Sequence, residues 1–152
     1  MNIRPMRAED KTSVFNMMRP FYTSEAVMTN GSEEIFEADF SACISANPYL
    51  EGYVFENDGK SCGYAMLAKS FSTEFGRPCI WIEDLYIIPA LRGQGLGSRF
   101  LALVRSQYPD AVLRLEAEDN NSHAIHVYEK SGFSRLPYCE MYRLPEDRPE
   151  KL

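Results

Sequence analysis

A glycine-rich segment near the middle of the chain has the residue types that bind an anion. The segment Arg92-Gly93-Gln94-Gly95-Leu96-Gly97-Ser98 follows an apolar run that ends at Ile88 and precedes a helical pattern. A helix that begins at such a turn presents unpaired N–H groups and the positive end of its dipole. Alternate glycines let the backbone approach a phosphate, and Arg92 adds a charged donor. The segment therefore predicts a phosphate or pyrophosphate site.

Two well-known phosphate-binding loops fit this segment poorly. A P-loop ends in Gly-Lys-Ser/Thr, and this turn contains no lysine. A dinucleotide fingerprint needs a third glycine where Ser98 stands and begins a βαβ unit rather than following an antiparallel meander. Glu116 does lie near the offset of a ribose-binding acid, so a nicotinamide-binding domain is kept as a weaker alternative.

The charge distribution points away from nucleic acid and towards a cation. The net charge is −6, and the stretch from Ser32 to Asp58 holds seven acids and no base. A general nucleic-acid binder needs a clustered basic face, which this chain lacks. The acidic stretch is either a solvated helix face or a region that attracts a cationic ligand.

Other functional classes are excluded by simple counts. No apolar run is long enough to span a bilayer, and charged residues interrupt the first dozen positions, so we expect no signal peptide and a cytoplasmic protein. The four cysteines have no CxxC spacing and no neighbouring histidine pair, so we expect no metal site. They are Cys43, Cys62, Cys79 and Cys139.

Hydrophobic periodicity predicts one α/β domain over residues 1–152, with the order β-α-α-β-β-β-α-β-α-β. The strand patterns cover 2–6, 49–56, 61–70, 79–88, 111–117 and 138–143. The helical patterns cover 8–22, 95–107, 122–131 and a segment that begins after Ser32 and stops at Asn47-Pro48. The buried side of that second helix is predicted to hold Ile35, Phe36, Phe40, Cys43 and Ile44.

Three separated segments resemble the GNAT superfamily of acetyl-CoA-dependent N-acetyltransferases, and the resemblance covers almost the whole chain. They are Ile3-Arg4-Pro5-Met6-Arg7-Ala8-Glu9-Asp10, the glycine segment, and Asn121 followed by Ala124, Tyr128-Glu129-Lys130 and Gly132-Phe133. The run Glu83-Asp84-Leu85-Tyr86 is most similar to the diamine (spermidine/spermine-type) branch. The resemblance implies a GNAT fold with a mixed central sheet, in which parallel strands ending near Ile88 and Ala117 splay apart.

The resemblance also implies how the residues act. Acetyl-CoA lies in the splayed cleft as acetyl donor, and a primary amine, here a small polyamine-like molecule, attacks it directly without a metal or a covalent enzyme intermediate. Glu83 matches the acceptor-contacting acid and is the candidate base, and Tyr128 matches the general acid. Alternation along the strand places Asp84 on the opposite face, in a structural role. The implied acetyl-CoA contacts are Leu85, Tyr86, Ile87, Arg92, Gly93, Gln94, Gly95, Leu96, Gly97, Ser98 and Asn121.

Several alternatives stay open. Within the same chemistry, an amino acid, an aminoglycoside or a protein N-terminus is an alternative acceptor, and a catalytically silent CoA-binding module is an alternative of another class. Proteins of this superfamily and size are often dimers. The apolar-polar segment Tyr138 to Arg143 is a natural edge-pairing strand, so we expect a homodimer.

Overall fold

Five strands form one mixed sheet in the order β1-β2-β3-β4-β5, which confirms the predicted α/β class. The computed structural model describes residues 2–145, so part of the predicted domain, residues 1 and 146–152, lies outside the described residues. The strands are β1 Asn2–Pro5, β2 Leu50–Asn57, β3 Lys60–Ser72, β4 Arg77–Ile87 and β5 Val112–Leu115. The helices are α1 Lys11–Tyr22, α2 Glu33–Ile44, α3 Leu96–Gln107 and α4 Ser122–Lys130, with short 3-10 turns at Ala8–Asp10 and Pro89–Leu91.

Helices cover both faces of the sheet and create two separate cores. On one face, α1 and α2 contribute Met18 and Phe40, which pack with Tyr64 and Tyr86 of the sheet. On the other face, α3 contributes residues such as Phe100. No helix in the described part of the chain is long and apolar enough to cross a membrane. The sheet is thus the middle layer of three, and a ligand can approach it only where the helices leave it open.

A β-bulge interrupts β4 at Glu83. In the antiparallel ladder with β3, Leu67 pairs with Ile82 and Met66 pairs with Asp84, so Glu83 has no partner residue. One extra residue shifts the alternation of side chains by one position. Ile82 therefore belongs to the α3 core, and Asp84 turns to the α1 side, where it is 5% exposed.

The parallel pair β4 and β5 separates at the same level. Their pairing runs from Cys79 with Val112 to Ile82 with Leu115 and then stops. Strand β4 continues to Ile87 without β5 beside it. The space left beside this part of β4 is called the strand gap below, and it corresponds to the splayed strands that the resemblance implies.

Two sequence predictions about elements are wrong. Tyr138 to Arg143 does not form a strand; the segment is irregular, with the Tyr138 hydroxyl donating to Glu74 at 2.7 Å and Met141 87% exposed. Helix α2 buries Phe36 and Phe40 but leaves Ile35 and Ile44 each 39% exposed. An amphipathic helix on a sheet buries only a narrow stripe, and the i, i+4 pair of phenylalanines fills it against Phe15.

Candidate active site

The glycine loop, residues 92–98, opens α3 at one end of the strand gap. Gly93 and Gly95 have φ of +75° and +78°, a conformation that favours glycine, and Gly95 is the N-cap of α3. Arg99 donates its N–H to the Gly95 carbonyl at 3.0 Å, so the N–H groups of Leu96, Gly97 and Ser98 precede this bond. A helix start of this kind offers its first N–H groups to an anion.

Arg92 is held against the end of β4. Its Nε donates to the Ile87 carbonyl at 2.8 Å, and its guanidinium carbon lies 5.4 Å from the centroid of the Tyr86 ring. The side chain is otherwise exposed, so its remaining N–H groups are accessible to a ligand at the glycine loop.

The strand gap exposes one edge of β4. Ile88 donates its N–H to the Cys62 carbonyl of β3 at 3.0 Å. In an antiparallel ladder the backbone groups of alternate residues point to the same side. Tyr86 therefore bonds towards β3, whereas Leu85 and Ile87 direct their N–H and C=O groups into the strand gap.

Helix α4 follows the end of β5 and carries two of the predicted site residues. Asn121 caps the helix, because its side-chain oxygen accepts the Ala124 N–H at 3.2 Å. The Tyr128 ring packs edge-on against Phe133 with centroids 6.1 Å apart and contacts the α3 core. Burial raises the pKa of Tyr128, so its hydroxyl keeps its proton at neutral pH.

A cavity of about 280 Å³ opens on the α1 and α2 side of the bulge, and we call it the acidic cavity. Three carboxyl groups line it, and its lining contains no Lys, Arg or His from residues 2–145. The residues are Tyr22, Asp39, Leu50, Met66, Ala68, Glu83 and Asp84. The prediction that Glu83 and Asp84 lie on opposite faces is therefore wrong, because the bulge brings both carboxyls to one cavity.

Asp84 is the most buried of the three carboxyl groups in this cavity. The Tyr64 hydroxyl donates to one of its oxygens at 2.8 Å, and the Tyr22 hydroxyl lies 3.4 Å from the other. Burial raises the pKa of Asp84 to about 7, the nearby Asp39 and Glu83 add to this rise, and the tyrosine hydrogen bonds oppose it. Burial also raises the pKa of Asp39 and of Glu83.

A second group of carboxyls lies where β5 ends. Glu116 follows Leu115, the last residue of β5, and Glu140 approaches from the C-terminal segment. Burial, then the hydrogen bond and the charge of Glu140, raise the pKa of Glu116 to about 7, and Glu83 contributes as well. Glu83 therefore stands between the acidic cavity and this second group.

Sequence reasoning did not identify several of these side chains. Tyr22, Tyr64 and Glu140 come from distant elements, and no local pattern marks them. Asp39 lies in the acidic stretch from Ser32 to Asp58, which was the one available signal for it.

Comparisons with known proteins identify the family and the fold of this chain. The model of the Acetyltransferase (GNAT) family matches residues 12–133. The chain is 27% identical over 149 residues to the uncharacterized N-acetyltransferase YhfO of Bacillus subtilis (strain 168), covering 91% of this chain and 96% of that protein. It is 30% identical over 151 residues to the thialysine N-epsilon-acetyltransferase of Sus scrofa, covering 91% and 86%. The solved structure of AAC(6')-Iy in complex with the bisubstrate analog CoA-S-monomethyl-acetylneamine matches with a TM-score of 0.76 at 16% identity, covering 95% and 97%.

A three-layer α/β fold with a glycine loop at the end of a splayed parallel strand pair is the architecture that the GNAT resemblance implies. The chain belongs to the GNAT family of acetyltransferases. It is an N-acetyltransferase, and its acetyl donor is acetyl-CoA. This assignment replaces the nicotinamide alternative.

We expect Asp84→Asn to stabilise the protein increasingly as pH rises from 5 to 8. The pKa of Asp84 is about 7 in the folded protein and near 4 in an unfolded chain. The folded state therefore binds more protons between these values, and ionisation of Asp84 lowers the free energy of unfolding as pH rises. A tenfold change in an ionisation constant corresponds to about 1.4 kcal/mol, so we expect a difference on the order of 2 kcal/mol.

Urea unfolding of both proteins at pH 5 and pH 8 measures this effect. Asp110→Asn, the same change at an exposed position, is the matched control. A difference between Asp84→Asn and the wild type that is equal at the two pH values would contradict the shifted pKa.

Proposed function

We propose that this enzyme transfers the acetyl group of acetyl-CoA directly to a primary amine of a small polyamine-like acceptor. The observation that carries the proposal is the acidic cavity, in which Asp39, Glu83 and Asp84 converge beside the strand gap. Three carboxyls with no basic neighbour in the lining create a negative potential that attracts a cation carrying more than one charge.

The alternatives within the same chemistry are less compatible with this cavity. A free amino acid brings its own carboxylate, which the three carboxyls repel; two unit charges 4 Å apart interact by about 4 kcal/mol near a protein surface. The similarity of Glu83-Asp84-Leu85-Tyr86 to the diamine branch supports a polyamine-like acceptor. The relatives named for thialysine, and the structural neighbour named for an aminoglycoside, make those acceptors the natural comparison compounds.

We infer that acetyl-CoA is held by backbone groups on both sides of the strand gap. Leu85 and Ile87 pair with the pantetheine arm as with an added strand, and Tyr86 supports this edge through its ring beneath Arg92. The Leu85 N–H donates to the acetyl carbonyl oxygen, where negative charge develops during transfer. The pyrophosphate is held by the glycine loop, and Asn121 adds a contact from α4. The loop residues are Arg92, Gly93, Gln94, Gly95, Leu96, Gly97 and Ser98.

Two side chains move the protons that the transfer requires. An amine is mostly protonated at pH 7 and must lose a proton before it attacks. Glu83 accepts this proton, directly or through one water, and its raised pKa brings it closer to the working pH of a general base. Tyr128 donates a proton to the departing sulfur, and its raised pKa keeps that proton available.

A panel of amines tests the proposed acceptor class. Acetylation is measured as release of free thiol from acetyl-CoA with diamines, spermidine, spermine, thialysine, an aminoglycoside and a peptide with a free N-terminus. We expect the highest kcat/KM with the aliphatic diamines and polyamines. A higher kcat/KM for thialysine, the aminoglycoside or the peptide would sink the polyamine assignment and leave acetyl transfer itself intact.

We expect Tyr128→Phe and Glu83→Gln to impair different steps. Tyr128→Phe should lower kcat by about 10²–10⁴ with little change in acetyl-CoA affinity, because only a hydroxyl is lost. Glu83→Gln should lower kcat/KM for the amine and remove the acidic limb of the pH profile of kcat, because the variant has no carboxylate at position 83 to be protonated in the bound complex. If both act in one transition state, the two defects combine less than additively.

Steady-state kinetics on the best acceptor measures both variants, with the 70% exposed Tyr49 changed to Phe as the control. Wild-type turnover in Tyr128→Phe, with chemistry shown to limit the rate, would assign Tyr128 to packing.

We expect Gly95→Val to weaken acetyl-CoA binding at least tenfold, about 1.4 kcal/mol. Position 95 has a φ of +78°, and a Cβ atom at this position would have open space within 4 Å. The loss would therefore come from the backbone conformation of the loop and from the space that the phosphates need. Gly76→Val is the matched control, since Gly76 also has a positive φ (+61°) and open surroundings but lies in the turn before β4. Calorimetry that gives unchanged affinity for folded Gly95→Val would remove the loop from the site.

We propose in addition that the protein is a homodimer. Strand β5 is last in the sheet order, and the segment after α4 exposes Leu136, Tyr138, Met141, Tyr142 and Leu144. Light scattering should give twice the 17.4 kDa chain mass. A mass near 17 kDa across micromolar concentrations would rule this out.

A further inference from the structure

The carboxyl of Asp84 has acceptor capacity that its own chain does not use. Each of its oxygens faces one tyrosine hydroxyl, Tyr64 at 2.8 Å and Tyr22 at 3.4 Å. A carboxylate offers about four acceptor positions. Asp84 is 5% exposed, and it lines the acidic cavity. A buried carboxyl that turns spare acceptor capacity to a cavity can take a donor from a ligand.

The groups that face Asp84 are all neutral or acidic. Burial raises the pKa of both tyrosines and of the Cys43 thiol, so these three keep their protons at neutral pH. The other neighbours are carboxyls. Among the described residues, these groups are Tyr22 on α1, Asp39 and Cys43 on α2, Tyr64 on β3 and Glu83 on β4. An ionised Asp84 is therefore poorly compensated while the cavity holds no cation.

We propose that Asp84 determines specificity for a second cationic group of the acceptor, and that it exchanges its proton for that group. Below about pH 7, the carboxyl keeps its proton while the cavity is empty. When an ammonium group enters, the carboxyl O–H bond breaks, the proton passes to solvent water, and the carboxylate pairs with the ammonium. This inference rests on the proposed function and adds to it a residue and a linked proton.

The shape of the cavity suits a two-ended acceptor. Glu83 lies at the bulge, beside the strand gap where the acetyl group is transferred, and Asp84 lies deeper against α1. Apolar side chains complete the lining, namely Leu50, Met66 and Ala68, and they contact methylene groups well. An aliphatic diamine can meet one carboxyl with each end, whereas a monoamine of the same length has only one group to offer.

Calorimetry of 1,4-diaminobutane binding to the CoA-saturated enzyme tests the exchange. Titrations at pH 6.0 and pH 8.5, each in two buffers of different ionisation enthalpy, count the protons released. With a pKa of about 7 for Asp84, we expect about one more proton released per diamine at pH 6.0 than at pH 8.5. The same linkage makes binding about tenfold weaker at pH 6.0.

Three comparisons isolate Asp84. Asp84→Asn should lose the additional proton release at pH 6.0 and most of the preference for 1,4-diaminobutane over 1-aminobutane, while Asp110→Asn should keep both. Tyr64→Phe removes a hydrogen bond that favours the ionised form, so it should move the midpoint of the pH dependence upwards. Equal proton release by wild type and Asp84→Asn, or equal release with 1-aminobutane, would overturn the inference.

The same measurements separate this inference from the proposed function. If diamines are acetylated and bound but Asp84→Asn releases the same number of protons, only the role of Asp84 is wrong. If the wild type neither binds nor acetylates any diamine, the proposed acceptor class fails and the inference fails with it.

Discussion

One extra residue in β4 organises the site. Without the bulge at Glu83, strict alternation would direct Asp84 into the apolar α3 core and Leu85 to the opposite face. With it, two consecutive carboxyls line one cavity, and the β4–β5 pairing ends at the preceding residue, Ile82. A single local irregularity thus accompanies both the open edge proposed to bind acetyl-CoA and the carboxyls proposed to bind the amine.

The carboxyls proposed to bind the acceptor lower the stability of the folded protein. Burying Asp84 among tyrosines and other acids costs folding free energy that an apolar side chain would not cost. The surrounding core offsets this cost, since Phe21, Phe36 and Phe40 each pack edge-to-face with an aromatic neighbour. The aromatic layer therefore compensates for keeping Asp84, a poorly solvated acid, in the cavity proposed for the acceptor.

Sequence patterns predicted the features that depend on neighbouring residues alone. The glycine loop, the N-cap at Asn121 and the order of helices and strands along the chain through β5 follow from turn chemistry and periodicity. The structure contains all three. The side on which Asp84 lies could not be read in this way, because a bulge depends on register with β3 rather than on the composition of β4. The segment Tyr138 to Arg143 has a strand-like pattern, yet a strand needs a partner edge, and side-chain bonds such as Tyr138 to Glu74 hold it instead. Asp39 joined the site through the packing of α2 on the sheet, which sequence spacing does not encode.

The bond between Arg92 and Ile87 has a consequence for solubility. An unpaired strand edge is a template for the strands of other chains, and natural proteins protect such edges with charges or by covering them. The edge of β4 beyond Ile82 has no strand beside it, and the proposed acetyl-CoA site requires this strand gap to stay open. The Arg92 side chain occupies the last carbonyl of this edge at 2.8 Å and sets a positive charge at its end. An incoming strand would have to displace that bond and approach a fixed charge. The Arg92 side chain therefore disfavours pairing of this open edge with the strands of other chains.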